Sequence, residues 1–274
     1  MDVSVLTPSF GYARFISDAI RSVVLQESLK VEHVIQDGAS TDGTTDVLDR
    51  YGSLGWVSEP DTGQSQALNR ALARAGGRWI AWLNADEFYL PGALARLVEE
   101  GDRSGADLVY GDAVFCDEHG RFLRGLPQHR FSPFVLQHYG PYISSCAMIV
   151  RREALEDRPF DESLRVVMDH DLYLSLAANG GRIRYVAGGV GVFRVHDERV
   201  TSGPEDDYRD EREKLAARYG FSTGSLSRFA GRGLHRLLKL TSGAYFRQMS
   251  SRRRRGADLR WFEEAAHPRA DVTP

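Results

Sequence analysis

The chain has 274 residues, of which 42% are hydrophobic and 27% charged, which is typical of a soluble globular protein with one large domain, alone or with an appendage. The net charge is only −3, but positive charge is concentrated near the end of the chain. The segment 228–260 contains ten Lys and Arg against one acid. It therefore carries about +9 and leaves about −12 for the remainder.

Three further features bear on where the protein works. No run of about 18 apolar residues occurs, so the sequence predicts no membrane-spanning helix. The amino terminus enters a strand directly, without the charged region or cleavage site of a signal peptide. Cys116 and Cys146 match no metal or redox spacing, so we expect two buried thiols. Together these features predict a cytoplasmic protein.

The first 90 residues alternate between strand and helix patterns. Short β-favouring runs occur at 3–8, 32–36, 55–58 and 78–83, and helical spacing of apolar residues occurs between them at 15–26, 44–51 and 65–75. Such alternation predicts right-handed βαβ crossovers, and therefore an α/β protein with a mostly parallel sheet.

Polar residues follow three of these predicted strands, at 7–9, 37–38 and 84–87. Ligands of open α/β sheets bind at the carboxyl ends of the strands, so we expect these residues to share one rim of the sheet. Carboxylates such as Asp86 and Glu87 suit a hard divalent cation that also binds phosphate oxygens. Taken alone, the acidic turn 84–87 is about equally compatible with a solvated surface turn.

The second half of the chain is less regular. The pattern predicts a hairpin formed by 108–115 and 122–124, strands at 145–150, 185–186 and 191–194, and helices at 91–100, 169–179 and 204–219. A Gly/Ser-rich break at 220–227 leads into the basic segment. Its stretch 233–249 also contains several apolar residues, which indicates either a solvated charged face or an amphipathic segment that lies on anionic lipid.

Six blocks of this sequence, taken in order, resemble the family 2 glycosyltransferases, inverting enzymes of the GT-A fold that use nucleotide-sugar donors. Four blocks lie within the first 97 residues: 5–10 (VLTPSF), 34–44 (VIQDGASTDGT), 58–69 (SEPDTGQSQALN) and 82–94 (WLNADEFYLPGAL). Two more follow at 167–174 (VMDHDLYL) and 193–197 (FRVHD). Each block is weak alone, but their order and spacing make the match specific.

The resemblance implies the GT-A fold, in which a mostly parallel, Rossmann-like central sheet is flanked by helices. It implies a catalytic domain at residues 1–203, with a nucleotide- and metal-binding half at 1–97 and an acceptor-binding half at 98–203. Residues 204–274 would form a helical, basic C-terminal extension.

The resemblance also implies a divalent cation, Mn²⁺ or Mg²⁺, that is held against the donor diphosphate by Asp86, Glu87 and His196. Glu87 stands where the family usually has Asp, which leaves the ligand set open at that position. His196 is about equally compatible with a structural role, because a single histidine is more often structural than a ligand.

Asp169 matches the general base of the family, which removes the proton from the acceptor hydroxyl. Asp169 and Asp171 are two residues apart at a predicted helix start, so they point in different directions, and we expect the second carboxylate to cap the helix. The swapped assignment, with Asp171 as the base, stays open. Met168 stands where the family often has Glu, which leaves the local hydrogen bonding open as well.

Nine residues are predicted to contact the donor. Asp37 would accept a hydrogen bond from the imide of a pyrimidine base, which favours a UDP- or dTDP-sugar. Asn69 is equally compatible with an amide on the helix surface that contacts no ligand. The predicted donor-binding residues are Thr7, Pro8, Ser9, Asp37, Ser40, Gln64, Asn69, Asn84 and Ala85.

These observations lead to one functional hypothesis and one alternative. The hypothesis is an inverting, metal-dependent glycosyltransferase that moves a sugar from a UDP- or dTDP-sugar to an acceptor hydroxyl on a glycan, a lipid-linked molecule or a natural product. The alternative is a non-catalytic member of the same fold that binds a nucleotide-sugar or a partner. No G-x-G-x-x-G follows the first strand, which disfavours a dehydrogenase.

The charge of the basic C-terminal segment indicates which partners to expect. No nucleic-acid-binding motif accompanies the positive charge, so we expect no nucleic-acid partner. We expect a cytoplasmic protein whose basic segment makes peripheral contact with the inner face of an anionic membrane.

Overall fold

The computed structural model describes residues 1–52, 54–155, 159–197 and 205–265. The strands are β1 (Val3–Ser9), β2 (Val31–Asp37), β3 (Gly55–Ser58), β4 (Trp79–Trp82), β5 (Phe88–Tyr89), β6 (Leu108–Cys116), β7 (Phe122–Leu126), β8 (Met148–Arg151) and β9 (Ile183–Arg194). The helices are α1 (Ile16–Val24), α2 (Thr44–Asp49), α3 (Gln64–Arg74), α4 (Ala93–Ser104), α5 (Pro133–His138), α6 (Met168–Ala178), α7 (Glu205–Tyr219), α8 (Ser225–Thr241), α9 (Ala244–Ser251) and α10 (Phe262–Ala265).

The first half of the chain forms the predicted parallel layer. β3, β2, β1 and β4 lie side by side in that order, and every neighbouring pair is parallel. Helices α1, α2 and α3 connect them, as the alternating pattern indicates. The apolar side chains of β1 are fully buried because helices cover the sheet, and the four strands end on a common rim.

The rest of the sheet is mixed rather than parallel. Beyond β4 the order is β8, β6, β9 and β5, with β7 paired to β6. β8 is antiparallel to both β4 and β6, β5 is antiparallel to β9, and only β6 and β9 are parallel in this half. The predicted hairpin is present as β6 and β7, which a tight turn joins as an antiparallel pair. The expectation of a mostly parallel sheet therefore holds for the first half alone.

One long strand, β9, replaces the two short strands predicted at 185–186 and 191–194. Gly191 in this strand faces the 3₁₀ turn Ser145–Ala147, and a Cβ there would lie 2.0 Å from the carbonyl oxygen of Cys146. A glycine therefore permits β9 to pass this close to the turn. The close approach brings the end of β9 beside the acidic turn that follows β4.

The C-terminal helices share a hydrophobic core with the preceding part of the chain. Leu215 and Phe221 belong to the same hydrophobic cluster as Leu172 of α6. The carboxylate of Glu211 in α7 accepts the backbone N–H groups of residues 165–167 at 2.8–3.1 Å. The extension is thus bonded to the loop that precedes α6, which is one wall of the cavity described below.

Two smaller predictions are also answered. Cys116 and Cys146 are free thiols and both are buried, as expected. The predicted break at 220–227 is shorter, because α8 already begins at Ser225. Within the described ranges, no helix combines the length and the apolar character needed to cross a bilayer.

Candidate active site

A cavity of about 670 Å³ opens on the rim where the parallel strands end, a size typical of small-molecule sites. One end is formed by the loops after β1 and β3 and by the acidic turn after β4, and we call it the donor end after the expectation from the sequence. The other end is formed by segments of the second half of the chain, and we call it the acceptor end. The donor-end lining comprises 8–12, 61–67, Trp82, Asn84 and Asp86, and the acceptor-end lining comprises Phe115, Leu126, 141–145, Phe193 and residues between 162 and 169.

The acidic turn presents one carboxylate to the cavity and directs the other inward. Asp86 lines the cavity, whereas Glu87 is 1% exposed and its Oε2 accepts the backbone N–H of Asn84 at 2.9 Å. Burial, followed by the charge of Asp86, raises the pKa of Glu87 to about 8, which favours the protonated form at neutral pH. The geometry does not support the prediction that Glu87 is a metal ligand. It shapes the turn instead.

Asn84 and Gln64 form the wall beside this turn. The Oδ1 atom of Asn84 accepts hydrogen bonds from Gln64 Nε2 at 2.6 Å and from Trp82 Nε1 at 2.8 Å. All three side chains line the cavity. The two donors fix the orientation of the Asn84 amide in this wall.

His196, just beyond β9, lies directly against Asp86. Its Nε2 atom is 2.8 Å from Asp86 Oδ2, and its ring packs on Phe15 with 4.7 Å between ring centroids. Two neighbouring ligands of an octahedral cation are about 3 Å apart when each metal bond is about 2.1 Å. The spacing of the two atoms therefore fits neighbouring ligands of a divalent cation, although Asp86 lines the cavity and His196 lies behind it. In the described part of the chain, no group of three His, Cys, Asp or Glu side chains is arranged around a metal position.

Arg194 holds the backbone of the acidic turn in place. Its side chain is 1% exposed, and it donates to the carbonyl oxygens of Asp86 at 3.0 Å and Glu118 at 2.8 Å. Its remaining nitrogen pairs with the carboxylate of Asp18 at 2.6 Å, and the guanidinium lies 4.9 Å from the centre of the Phe15 ring. A buried guanidinium is tolerated when its donors are paired in this way. The residue ties the acidic turn to α1 and to the β6–β7 hairpin.

Phe10 and Asp61 form the outer wall of the donor end. Both line the cavity, and Phe10 is 68% exposed. A Cβ on Gly38 would lie 2.9 Å from Asp61 Oδ2 and 3.2 Å from the Phe10 ring, so glycine allows both side chains to lie over the loop after β2. Burial raises the pKa of Asp61, although its Oδ1 accepts the N–H of Gly63 at 2.9 Å.

Asp37 and Ser40 lie behind this wall. The buried Asp37 carboxylate accepts the backbone N–H of Ser40 at 2.9 Å, the Ser40 hydroxyl at 2.5 Å and the Ser58 hydroxyl at 2.7 Å. Ser40 Oγ in turn accepts the N–H of Gly11 at 2.8 Å. Neither Asp37 nor Ser40 lines the cavity. The geometry does not support direct contact of either with the nucleotide; they tie together the loops that form the wall.

Three other residues that were predicted to contact the donor make their contacts inside the protein instead. Thr7 is buried, and its hydroxyl lies 2.7 Å from Nε2 of His33, whose pKa burial lowers to about 3. Ala85 is fully buried in the cluster beneath α1 and α2. The amide of Asn69 donates to the carbonyl of Phe160 at 2.8 Å and accepts its N–H at 3.2 Å. Of the predicted donor contacts, Pro8, Ser9, Gln64 and Asn84 line the cavity.

Asp169 lines the opposite end of the cavity, at the start of α6. It accepts the N–H of His170 at 2.7 Å, and burial raises its pKa to about 6. Asp171 accepts hydrogen bonds from Arg218 at 2.9 Å and from the hydroxyl of Tyr219 at 2.7 Å. Asp171 therefore anchors α7 instead of capping α6. Its engagement also disfavours the swapped assignment of the base.

Sequence reasoning gave no role to Phe10, Asp61 or Arg194. Phe10 and Asp61 stand inside two of the six blocks, but a pattern does not show which residues of a loop face a cavity. Arg194 stands two residues before His196, and strand alternation places the two side chains on the same face of an extended chain. That spacing was the available signal for a buried arginine behind Asp86 and His196.

The arrangement of strands, cavity and acidic turn defines the class of protein as a GT-A fold. TarS from S. aureus, solved as residues 1–349 in complex with UDP-GlcNAc, matches with a TM-score of 0.64 and 20% identity over 80% of this chain and 66% of that one. Glucosyl-3-phosphoglycerate synthase from Mycobacterium tuberculosis, solved with Mn²⁺, UDP and glucosyl-3-phosphoglycerate, matches with a TM-score of 0.53 and 20% identity over 81% of each chain. At these identities the likeness establishes the fold alone.

The family follows from sequence comparison. The family model for glycosyl transferase family 2 matches residues 4–158. The succinoglycan biosynthesis protein ExoO of Rhizobium meliloti (strain 1021) is 30% identical over 207 residues, which is 66% of this chain and 57% of that protein. The putative teichuronic acid biosynthesis glycosyltransferase TuaG of Bacillus subtilis (strain 168) is 36% identical over 102 residues, 35% of this chain and 40% of that protein.

The chain belongs to glycosyltransferase family 2, as the six blocks indicated. It spans between 40% and 57% of the length of the two curated relatives described above.

Proposed function

We propose that this protein transfers a sugar, with inversion, from a UDP- or dTDP-sugar to an acceptor hydroxyl. The observation that carries the proposal is one cavity that is lined by Asp86 at its donor end and by Asp169, with a raised pKa, at its acceptor end, with His196 lying 2.8 Å behind the Asp86 carboxylate. Inverting transfer needs a cation at the leaving diphosphate and a base at the acceptor, on opposite sides of the sugar.

The donor diphosphate would lie against Asp86 and His196, which supply one carboxylate and one imidazole to Mn²⁺ or Mg²⁺. When bound, the cation would neutralise charge on the leaving diphosphate. Arg194 and Glu87 hold the turn in the shape that directs Asp86 into the cavity. The protein thus supplies a rigid pair of ligands rather than a closed metal cage.

The nucleobase would lie against Pro8 and Phe10, with Asp61 at its edge. A carboxylate accepts a hydrogen bond from the imide N–H of uracil or thymine, which cytosine lacks in its neutral form. In this proposal Asp37 holds the loop, and Asp61 takes over the imide contact that the sequence assigned to Asp37. Gln64 and Asn84 would contact the ribose or the sugar.

The acceptor hydroxyl would approach from the side of Phe115, Tyr142 and Phe193 and lose its proton to Asp169. A carboxylate with a pKa near 6 is deprotonated at neutral pH and still accepts a proton more readily than an ordinary aspartate. The relatives and structural neighbours support this class of reaction, because TarS is solved with UDP-GlcNAc and ExoO is named for succinoglycan biosynthesis.

The proposal includes the predicted location. We expect peripheral contact of the basic C-terminal segment with an anionic membrane at the inner face, which agrees with its charge of about +9. The acceptor would be a glycan, a lipid-linked molecule or a natural product.

Calorimetry with UDP, dTDP, GDP and CDP, each measured with Mn²⁺ and with EDTA, tests the donor. We expect UDP or dTDP to bind only with the metal. Equal affinity for GDP, or equal affinity without metal, would contradict the proposed site. Slow hydrolysis of the matching nucleotide-sugar by the protein alone would separate an enzyme from the non-catalytic alternative, for which we expect binding without turnover.

A further inference from the structure

The outer side of α8 and α9 carries large apolar side chains that no other part of the described structure covers. We call this surface the α8–α9 face. Leu226, Phe229 and Phe246 are 80%, 70% and 76% exposed, and the face also includes Leu237, Leu240 and Met249. A cluster of exposed apolar side chains on two successive helices is typical of an interaction site.

The helix α8 has one side that is buried against the protein and an opposite side that is exposed and apolar. On the inner side, His235 stacks on Tyr139 with 4.1 Å between ring centroids and lies 2.9 Å from His129. A Cβ on Gly231 would lie 2.7 Å from the backbone of His138, so α8 is seated closely on α5. The exposed residues 226, 229, 233, 237 and 240 follow helical spacing along the opposite side. These five residues, which we call the apolar stripe, therefore face away from the core.

Positive charge borders the apolar stripe, and negative charge is absent from it. Arg228, Arg232 and Arg236 are exposed along α8, and the exposed run 252–255 follows α9. The sequence contains no Asp or Glu between Lys214 and Ala257. An apolar stripe with a basic border is complementary to a bilayer surface that contains anionic lipid. A second copy of this chain would bring these arginines together instead.

The α8–α9 face is joined to the acceptor end of the cavity through β7. A Cβ on Gly125 of β7 would lie 3.1 Å from the hydroxyl of Ser251 in α9, and Arg247 of α9 donates to the carbonyl of Gln128 at 3.0 Å. Leu126, between those two contacts, lines the cavity. The helix that presents part of the apolar face is thus packed on the strand that forms the acceptor wall.

We propose that the α8–α9 face docks on an anionic membrane and that docking places the acceptor end of the cavity at the lipid surface. Apolar side chains enter the interfacial region while the bordering arginines meet lipid phosphates. An acceptor hydroxyl carried by a membrane lipid would then reach Asp169 from this side. This last step rests on the proposed sugar transfer, whereas the docking itself does not depend on that activity.

Cosedimentation of the full chain with vesicles tests the docking. We expect binding to phosphatidylcholine mixed with phosphatidylglycerol, weaker binding at high salt, and little binding to phosphatidylcholine alone. The triple variant Arg228→Glu, Arg232→Glu, Arg236→Glu should lose about 100-fold in affinity. The matched control Arg50→Glu, Arg103→Glu, Arg184→Glu, which changes exposed arginines elsewhere, should bind as the wild type. Equal losses in both variants, or equal binding to both vesicle types, would overturn the proposal.

Site-directed labelling tests the orientation. The native thiols are buried, so an environment-sensitive fluorophore reacts selectively with an introduced cysteine. We expect a blue shift with anionic vesicles for labels at Phe246→Cys and Leu123→Cys, the latter on β7, and none at Asp49→Cys. A shift at Asp49→Cys, or none at Phe246→Cys, would refute the docking, and none at Leu123→Cys would refute the orientation.

Two control measurements distinguish membrane docking from loss of the nucleotide site and from dimerisation. Calorimetry of UDP on the same variants shows whether the nucleotide site is intact, so a failure of docking is not confused with a failure of the proposed function. Sedimentation velocity without lipid should show a monomer. A dimer that Phe246→Ser dissociates would instead assign the face to a second copy and overturn the membrane proposal.

Discussion

The donor and acceptor ends of the cavity are assembled differently. The donor end comes from one continuous region, residues 8–86, whose loops follow consecutive strands of a parallel layer. The acceptor end comes from Phe115, Tyr142, Asp169 and Phe193, which lie on separate elements of the mixed part of the sheet or beyond it. A parallel layer brings loops to one rim by its topology alone. The acceptor end depends on long-range packing.

The two ends also differ in how their polar side chains are used. At the donor end, Thr7 is bonded to His33 of β2, while Asp37 and Ser40 are bonded to each other and to neighbouring segments behind the cavity wall. At the acceptor end, Asp169 accepts a bond from its own helix and is otherwise directed at the cavity. Donor-end variants should therefore affect binding or stability, whereas the Asp169 variant should affect turnover.

The largest effect is expected for Asp169→Asn. Removing the base should lower turnover about 10²–10⁴-fold, because proton transfer from the acceptor is lost. Affinity for UDP with Mn²⁺ should not change, since Asp169 lies at the other end of the cavity. Steady-state kinetics and calorimetry measure the two quantities. Turnover within a few-fold of the wild type would place the base elsewhere.

Asp86→Ala is expected to lower affinity for metal and UDP together by about 100-fold or more, because it removes the cavity-facing carboxylate. Glu87→Gln keeps the shape of the turn and serves as the control. We expect it to retain metal-dependent binding, since Glu87 faces Asn84. If calorimetry showed a larger loss of affinity for Glu87→Gln than for Asp86→Ala, Glu87 would be the metal ligand and our assignment of the turn would be wrong.

The pH profile of turnover should fall on the acid side by about tenfold per unit below pH 6. Burial raises the pKa of Asp169 to about 6, and the base acts only when deprotonated, so lowering the pH through this value protonates it and stops proton transfer. Rates measured from pH 5 to 8 at saturating donor check this. A flat profile down to pH 5 would contradict the assignment.

Asp61→Asn should weaken UDP binding by about tenfold, the loss expected when a hydrogen bond to a charged group is replaced by a mismatched amide. Asp37→Asn should mainly lower the midpoint of thermal unfolding, because Asp37 accepts two bonds from Ser40 in its own loop and one from Ser58 at the end of β3. Calorimetry and a thermal melt of both variants distinguish the roles. A loss of UDP affinity in Asp37→Asn alone, with an unchanged melt, would restore Asp37 as the imide contact.

The smallest expected effect is that of Asn69→Ala, which should lower the free energy of unfolding by about 1–3 kcal/mol and leave UDP affinity unchanged. The variant leaves the N–H and carbonyl of Phe160 without their partner. Asn179→Ala, at an exposed position, is the control and should change stability little. If Asn69→Ala bound UDP more weakly while its free energy of unfolding was unchanged, Asn69 would be a donor contact after all.

The sequence by itself determined the class of fold, the family and the position of the rim. Strand and helix periodicity is local, and the order of the six blocks is visible without a structure. Pro8, Ser9, Gln64, Asn84, Asp86 and Asp169 were all chosen from strand ends and motifs, and all line the cavity.

Only the tertiary structure decided which carboxylates face the cavity. Asp86 and Glu87 are adjacent in sequence, but one faces the cavity and the other the core, because Glu87 accepts the N–H of Asn84. Arg194 acquired its role from Asp18 and Glu118, which are far from it along the chain. Burial and long-range hydrogen bonds are properties of the assembled chain, so a motif that names a side chain does not fix its direction.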